Sequence, residues 1–202
     1  ENLNISDTLC DPDHIEALQA LSVDEPTISM IFQVNDSPFA GLDGKYVTTR
    51  NIKERLEREL IHNVALRVEE GDTPDKYKVS GRGELHLSVL IETMRREGFE
   101  LAVSRPEVIV HEVNGVTEEP FEALVVDCDE AHQGSVIEEL GQRRAEMQDM
   151  LLDGKGRVRL QFVVPTRGLI GFRSQFLTMT SGSGVMTHIF DHYGPIKAAE
   201  MA

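Results

Sequence analysis

Residues 76–98 read KYKVSGRGELHLSVLIETMRREG, and this stretch decides the fold of the first half of the chain. Lys76–Ser80 has the composition of a strand, and the two glycines around Arg82 predict a tight turn from that strand into a helix. The helix shows the i, i+3, i+4, i+7 spacing of a buried face at Leu87, Leu90, Ile91 and Met94. Gly98 is placed to end this helix.

The surrounding sequence extends this strand–helix pair to a full β-α-β-β-α-β unit. In chain order the patterns predict a strand over 27–34, a helix over 50–63, a strand over 64–68, a hairpin strand over 76–80, a helix from 83 and a strand over 99–104. The connection over 35–44 holds Pro38, Gly41 and an Asp-Gly pair, which is typical of a loop. This order of elements is that of a ferredoxin-like sandwich.

The same order recurs about 90 residues later. The patterns predict strands over 121–128, 147–152, 158–164 and 185–190, with helices over 132–146 and 167–179. We expect residues 191–195 to end the last strand. The predicted fold class is therefore α+β, with two tandem ferredoxin-like (βαββαβ) sandwiches whose antiparallel sheets carry helices on one face. The expected organisation is a connector from a preceding domain over 1–26, domains over 27–104 and 119–202, and a linker over 105–118.

The composition narrows the class of protein. The chain has 202 residues, and 20 basic against 35 acidic residues give a net charge of −15, which excludes a wholly basic DNA-coating protein. No apolar run approaches the roughly 20 residues of a membrane span. Two cysteines exclude a disulfide framework, so we expect a cytoplasmic protein. Because the first residue is Glu1 rather than Met, we also expect a segment of a longer protein.

Three familiar kinds of site are not supported by the sequence. Gly41–Tyr46 lacks the spacing of a nucleotide phosphate loop, and Tyr46 stands where a Ser or Thr would meet magnesium. His188 and His192 on one strand would lie about 13 Å apart, too far to share one zinc ion. Neighbouring aspartates raise the thiol pKa of Cys128 and make it a poor nucleophile. We therefore predict no catalytic, cofactor-binding or metal-binding residue.

One segment departs from the acidic character of the chain. Residues 141–173 hold seven basic and three acidic residues. Charge alone leaves open whether these side chains bind phosphate or pair with nearby carboxylates. Charge and placement predict RNA or ribosome contacts by Arg143, Arg144, Lys155, Arg157, Arg159, Arg167 and Arg173 in the second unit, and by Arg50, Lys53 and Arg82 in the first.

Several short motifs resemble one family of proteins. GRGELHL at 81–87, between a strand and a helix, resembles the third domain of elongation-factor-G-like translational GTPases. The BipA/TypA branch of these ribosome-associated GTPases is indicated by NDSPF at 35–39, MRREGFEL at 94–101, VPTRGLIGFR at 164–173, Phe176–Thr178 and GSG at 182–184. The resemblance covers essentially all 202 residues.

The resemblance implies a fragment that covers the domain III and domain V analogues of such a GTPase. It implies that GTP and magnesium bind a GTPase domain outside this chain, so the fragment itself is not expected to be an enzyme or to hold a cofactor. The expected role is docking and positioning on the ribosome, in translation, ribosome assembly and stress adaptation. The expected partners are rRNA, ribosomal proteins and the other domains of the same chain; we expect a monomer and no membrane contact.

Two other functions are compatible with the fold, because ferredoxin-like domains serve many purposes. A tandem module that senses a small molecule would bind its effector at the interface of the two units. An acylphosphatase-type enzyme would need a phosphate-cradling loop with a suitably placed Arg and Asn, and no such loop follows either first strand.

Overall fold

The computed structural model describes residues 7–19 and 25–196. The chain divides into two compact units, residues 1–106 and 107–202. The predicted connector, residues 1–26, lies partly outside the described residues. Within residues 7–19 the backbone forms an isolated bridge between Asp11 and His14.

The ferredoxin-like core of the first unit consists of two helices and four antiparallel strands of a five-stranded sheet. Its elements are β1 (Ile28–Val34), α1 (Thr49–His62), β2 (Arg67–Glu70), β3 (Lys76–Gly81), α2 (Glu84–Arg96) and β4 (Leu101–Val103). The strand order is β2-β3-β1-β4, with β1 central between β3 and β4. This order is that of a ferredoxin-like sandwich, as predicted. The core is formed by side chains from one sheet face and both helices, including Phe32, Val79, Ile52, Leu56, Leu87 and Met94.

The second unit repeats this arrangement with extra strands before it. Its elements are β5 (Glu107–Val108), β6 (His111–Val113), β7 (Val116–Asp129), a 3₁₀ turn (Glu130–His132), α3 (Gln133–Gln142), β8 (Glu146–Leu152), β9 (Arg157–Pro165), α4 (Thr166–Leu169), α5 (Phe172–Met179) and β10 (Val185–Pro195). The order β10-β7-β9-β8 is again ferredoxin-like, and β6 forms a hairpin with the start of β7. The predicted fold class is therefore confirmed for both units.

Alternation along β9 builds the core of the second unit. Val158, Leu160, Phe162 and Val164 are buried, whereas Arg157 and Arg159 are exposed on the other face of the sheet. The helices contribute fully buried side chains to the same cluster, among them Val136, Leu140, Phe172 and Phe176. A strand period of two therefore separates the apolar face from the basic residues.

Two predicted elements were wrong in detail. The strand predicted over 64–68 lies at 67–70, because Ala65 and Leu66 are buried in the turn that follows α1, where the Leu66 N–H donates to the Asn63 carbonyl. The single helix predicted over 167–179 is two helices. Gly171 adopts a left-handed φ of 72° between them, a conformation that interrupts a right-handed helix.

The first and last strands of the second ferredoxin-like arrangement, β7 and β10, are longer than predicted. β7 begins at Val116 rather than at 121, and β10 does not end at Phe190 but passes a bulge at Asp191 and pairs with β7 as far as Pro195. The segment predicted as a linker, residues 105–118, contains β5, β6 and the first residues of β7.

Gly168 lies at the closest approach between α4 and the end of α3. A β-carbon at this position would lie 2.6 Å from the Arg143 carbonyl oxygen. Because that neighbour is backbone, it cannot move aside without shifting α3 or α4. We expect Gly168→Ala to destabilise the chain by about 1–3 kcal/mol in urea unfolding. The matched control is Gly134→Ala in α3, which meets nothing within 4 Å and should stabilise by about 0.5 kcal/mol. Equal effects of the two substitutions would contradict this packing.

The loop between β1 and α1 is held by the carboxylate of Glu100, a residue that lies between α2 and β4 in the chain. Glu100 accepts hydrogen bonds from the backbone N–H groups of Gly41, Asp43 and Gly44 at 3.0–3.2 Å and from the Asn35 side chain at 2.6 Å. These donors, with Asn35 the strongest, lower the pKa of Glu100. The backbone N–H groups that a phosphate loop would offer to a ligand are thus already bonded to Glu100.

This clamp is expected to depend on pH. Because the folded-state pKa of Glu100 is lowered, the clamp contributes fully above the ordinary glutamate pKa of about 4.3 and is lost as the pH falls through the lowered value. In an NMR titration, the amide signals of Gly41, Asp43 and Gly44 should shift together with the Glu100 carboxyl signal, at a midpoint below about 4.3. Amides that titrate at a different midpoint from this carboxyl would contradict the clamp.

Candidate nucleic-acid interface

The seven predicted basic residues of the second unit do not form one patch. Lys155 lies in the turn before β9, and Arg157 and Arg159 lie at the start of this strand, whereas α4 and α5 follow its end at Pro165. The nine residues from Arg157 to Pro165 span about 26 Å, because eight steps separate the first from the last at about 3.3 Å each. Four candidates belong to the far end of β9, namely Arg143, Arg144, Arg167 and Arg173. The charge cluster in the sequence is therefore divided between two ends of the sheet.

Arg143 serves inside the protein. Its guanidinium donates to the carbonyl oxygens of Gly168 at 2.7 Å and Ile170 at 3.1 Å, to the Gln175 side chain and to Glu139. It also lies over the Phe172 ring, 5.3 Å from the centroid. These contacts satisfy carbonyl groups where α4 ends, and they leave little of the side chain for a phosphate. The Arg143 side chain is therefore occupied inside the protein.

Arg167 neutralises a buried carboxylate. Glu119 on β7 is 1% exposed and accepts two hydrogen bonds from Arg167, at 2.6 and 3.2 Å. A buried carboxylate that loses its cation is left with an uncompensated charge. This geometry makes Arg167 a structural partner of Glu119.

Arg157 and Arg159 are exposed but paired across the sheet. Arg159 makes a two-pronged ion pair with Asp127 at 2.8 and 3.0 Å, and Arg157 contacts Asp129 at 3.2 Å. The β7–β9 register places each arginine directly opposite its aspartate. A phosphate that binds here must displace or accept a nearby carboxylate, so these two cations offer a weaker site than their charges indicate.

Three candidates of the second unit keep their side chains free of hydrogen bonds and ion pairs within the described residues: Arg144, Lys155 and Arg173. Arg144 follows α3 in a left-handed conformation with φ of 66°, where glycine is the usual residue. Lys155 occupies the β8–β9 turn, and Arg173 the first turn of α5. These three cations are the best placed for phosphate.

The candidates of the first unit lie in different electrostatic settings. Arg50 pairs with Glu54 at 2.8 Å on α1. Lys53 contacts Glu70 at 3.2 Å in a groove that Glu57 and Glu69 also line, which makes this position unfavourable for a phosphate. Arg82 is exposed in the turn before α2.

Arg82 affects the pKa of the neighbouring His86. Burial of His86 lowers its pKa, and the charge of Arg82 lowers it further. The His86 ring lies within hydrogen-bond distance of the Asn63 side chain and accepts a bond from the Arg82 backbone N–H. These contacts hold the backbone of this turn while the Arg82 side chain extends outward.

Two basic residues were missed in the sequence analysis. Lys76 and Lys78 on β3 make no ion pair within the described part of the chain, and both point to the sheet face opposite the helices. Their i, i+2 spacing on a strand was the available signal, because alternate strand residues share a face.

The other sites considered in the sequence have internal partners. His188 contacts the buried Glu122, whereas His192 contacts Asp191 and stacks on Phe121. Over residues 7–19 and 25–196, no three His, Cys, Asp or Glu residues are grouped closely enough to hold a metal ion. Burial, with Asp129, raises the pKa of Cys128. No helix in the described ranges has the length and apolar character of a membrane span.

Two comparisons with known proteins agree with the fold. Residues 116–202 match the family model described as the elongation factor G C-terminus. A crystal structure of a protein from Thermus thermophilus shares the fold with a TM-score of 0.55 and 14% identity, covering 88% of this chain and 42% of that one. Both findings agree with the two ferredoxin-like units.

Several curated proteins are similar to the chain over nearly its whole length. The chain is 63% identical to the large ribosomal subunit assembly factor BipA of Haemophilus influenzae and 62% identical to that of Salmonella typhimurium, over 98% of its length. The BipA of Buchnera aphidicola is 56% identical over 96% of the chain. The chain spans about a third of the length of these relatives. The predicted resemblance is therefore confirmed: over this segment the chain is similar to proteins of the BipA/TypA family.

The division into internal and free arginines can be tested by stability. Arg167→Met should destabilise the chain by about 3 kcal/mol, the lower end for breaking a buried pair because Arg167 is itself 39% exposed. The double substitution Glu119→Leu/Arg167→Met should recover most of this loss. Arg173→Met is the matched control, and its effect should stay within about 0.5 kcal/mol. Denaturant unfolding that gives equal losses for Arg167→Met and Arg173→Met would contradict this assignment.

Proposed function

We propose that this chain provides two docking domains of a ribosome-associated translational GTPase. In this proposal, the domains hold a GTPase domain, elsewhere in the parent protein, at a defined position on the large ribosomal subunit. The observation that carries the proposal is 61–63% identity, over 98% of the chain, to proteins described as large ribosomal subunit assembly factors. The match to the elongation factor G C-terminus supports the same role.

The proposed chemistry is positioning rather than bond making. GTP and magnesium would bind the GTPase domain of the parent protein, and this segment would contribute shape and a few cations. Its partners would be rRNA and ribosomal proteins in the cytoplasm, together with the other domains of the parent chain, and the parent would act as a monomer. A net charge of −15 opposes indiscriminate binding to RNA, so contact would be restricted to exposed basic side chains.

The geometry ranks the candidate contacts. Arg144, Lys155 and Arg173 form no ion pair among the described residues, so no ion pair has to be broken before a phosphate binds them. Arg157 and Arg159 must share a phosphate with Asp129 and Asp127. Arg82 would serve as a contact of the first unit. We propose Arg144 and Arg173, at the same end of β9, as the main phosphate contacts of the second unit.

This ranking predicts the salt dependence of ribosome binding. In the full-length parent protein, Arg144→Gly/Arg173→Gln should weaken binding to purified large subunits. If both residues contact phosphate, the slope of log K against log salt should fall by about 1.5, because each phosphate contributes about 0.7–0.9. Glycine suits the left-handed backbone at residue 144, so folding should be retained.

Two further variants complete this test. Arg157→Gln/Arg159→Gln should change the slope less than the first pair does. Arg95→Gln, on α2 and paired with Glu92 at 2.8 Å, serves as the control that removes an exposed arginine outside the proposed interface. An unchanged slope for the Arg144 and Arg173 pair would remove these residues from the interface. Absence of large-subunit binding by the unsubstituted parent would overturn the proposed function.

A further inference from the structure

The loop that joins β1 to α1 exposes two large apolar side chains. Phe39 is 70% exposed and Leu42 is 74% exposed, and both lie in residues 35–46, NDSPFAGLDGKY. The first five residues of this loop form one of the motifs of the family resemblance, yet the phosphate contacts proposed above make no use of them. The loop therefore requires a separate explanation.

Hydrogen bonds of the motif residues hold the loop in place. The Asn35 side chain donates to Glu100 and accepts from the Ser37 N–H, and the Ser37 carbonyl accepts from the Ala40 N–H. Three further backbone N–H groups of the loop donate to Glu100. At its far end, the Lys45 and Tyr46 N–H groups donate to the Gly98 carbonyl. The backbone is thus ordered at both ends and in the middle, while Phe39 and Leu42 extend from it.

This combination of order and exposure is typical of a binding element. Ordering a loop costs conformational entropy. Because Phe39 and Leu42 are exposed, their side chains contribute no burial that would offset this cost in the isolated chain. In a complex, the same order is an advantage, because anchors that are already positioned lose less freedom on binding. Aromatic and aliphatic anchors that enter a pocket dominate the energy of many protein interfaces.

Charge identifies the kind of partner. The exposed carboxylates of Asp36 and Asp43 flank the two apolar side chains, and Lys45 is the only basic residue of the segment. This acidic surround disfavours nucleic acid and favours a protein with a basic rim. We propose that residues 35–46 are a protein-docking loop, in which Phe39 and Leu42 enter a basic-rimmed apolar pocket on a protein of the large ribosomal subunit. The inference rests on the proposed function, because that function supplies the partner.

The test compares anchor and control variants of the full-length protein on purified large subunits. Phe39→Ser/Leu42→Ser should weaken binding at least tenfold, with the salt slope unchanged, because no phosphate contact is lost. Ile61→Ser is the matched control. It removes a 52% exposed apolar side chain from α1 of the same unit and should leave the affinity within twofold.

Glu100 is expected to act as a positioning residue for this loop. Glu100→Gln should weaken binding by less than the anchor variant and should accelerate hydrogen exchange at Gly41, Asp43 and Gly44. A general loss of folding would instead accelerate exchange throughout the unit. A photoreactive side chain in place of Phe39 should cross-link to a ribosomal protein in the complex.

The possible results separate this inference from the proposed function. Unchanged affinity of the anchor variant, a reduced salt slope, or cross-linking to rRNA would overturn the docking loop while leaving large-subunit binding intact. Failure of the unsubstituted parent to bind large subunits would overturn the proposed function together with the loop's role.

Discussion

The antiparallel pairing of β7 with β9 determines most of what the second unit can offer to a partner. This register buries alternate residues of β9 beneath the helices and sets Arg157 and Arg159 opposite Asp129 and Asp127. The same interaction that closes the core thus neutralises two of the exposed cations. It also makes β9 a spacer of about 26 Å between the remaining basic residues.

Arginine has two different roles in this unit. Arg143 and Arg167 present planar sets of N–H donors to carbonyl and carboxylate oxygens that would otherwise lack partners, a task that suits the guanidinium group. Arg144 and Arg173 take part in no such arrangement among the described residues, although they are close to the others in sequence. Proximity in sequence therefore indicates little about which cations remain free for a partner. What decides it is whether the neighbouring helix end or strand leaves a carbonyl or carboxylate oxygen that the side chain must satisfy.

The two units present unlike surfaces from the same fold. In the second unit, basic side chains surround the strand ends and the helix termini. In the first, an acidic loop exposes Phe39 and Leu42, and Glu100 holds its backbone N–H groups. The second unit thus suits phosphate and this loop of the first unit suits protein, and both surfaces agree with the proposed docking on a particle of RNA and protein.

The order of elements could be predicted from the sequence, because strand alternation and helical spacing are local properties. The apolar stripe from Leu87 to Met94 and the glycines around Arg82 were sufficient for the first unit. Motifs carried the family resemblance in the same way. The helix break at Gly171 and the extension of β10 past Asp191 were not predicted, because they depend on backbone conformation and on pairing with β7. The partners of the arginines were beyond the sequence for a related reason: Glu119 and Arg167 are 48 residues apart, and only the folded sheet brings their charges together.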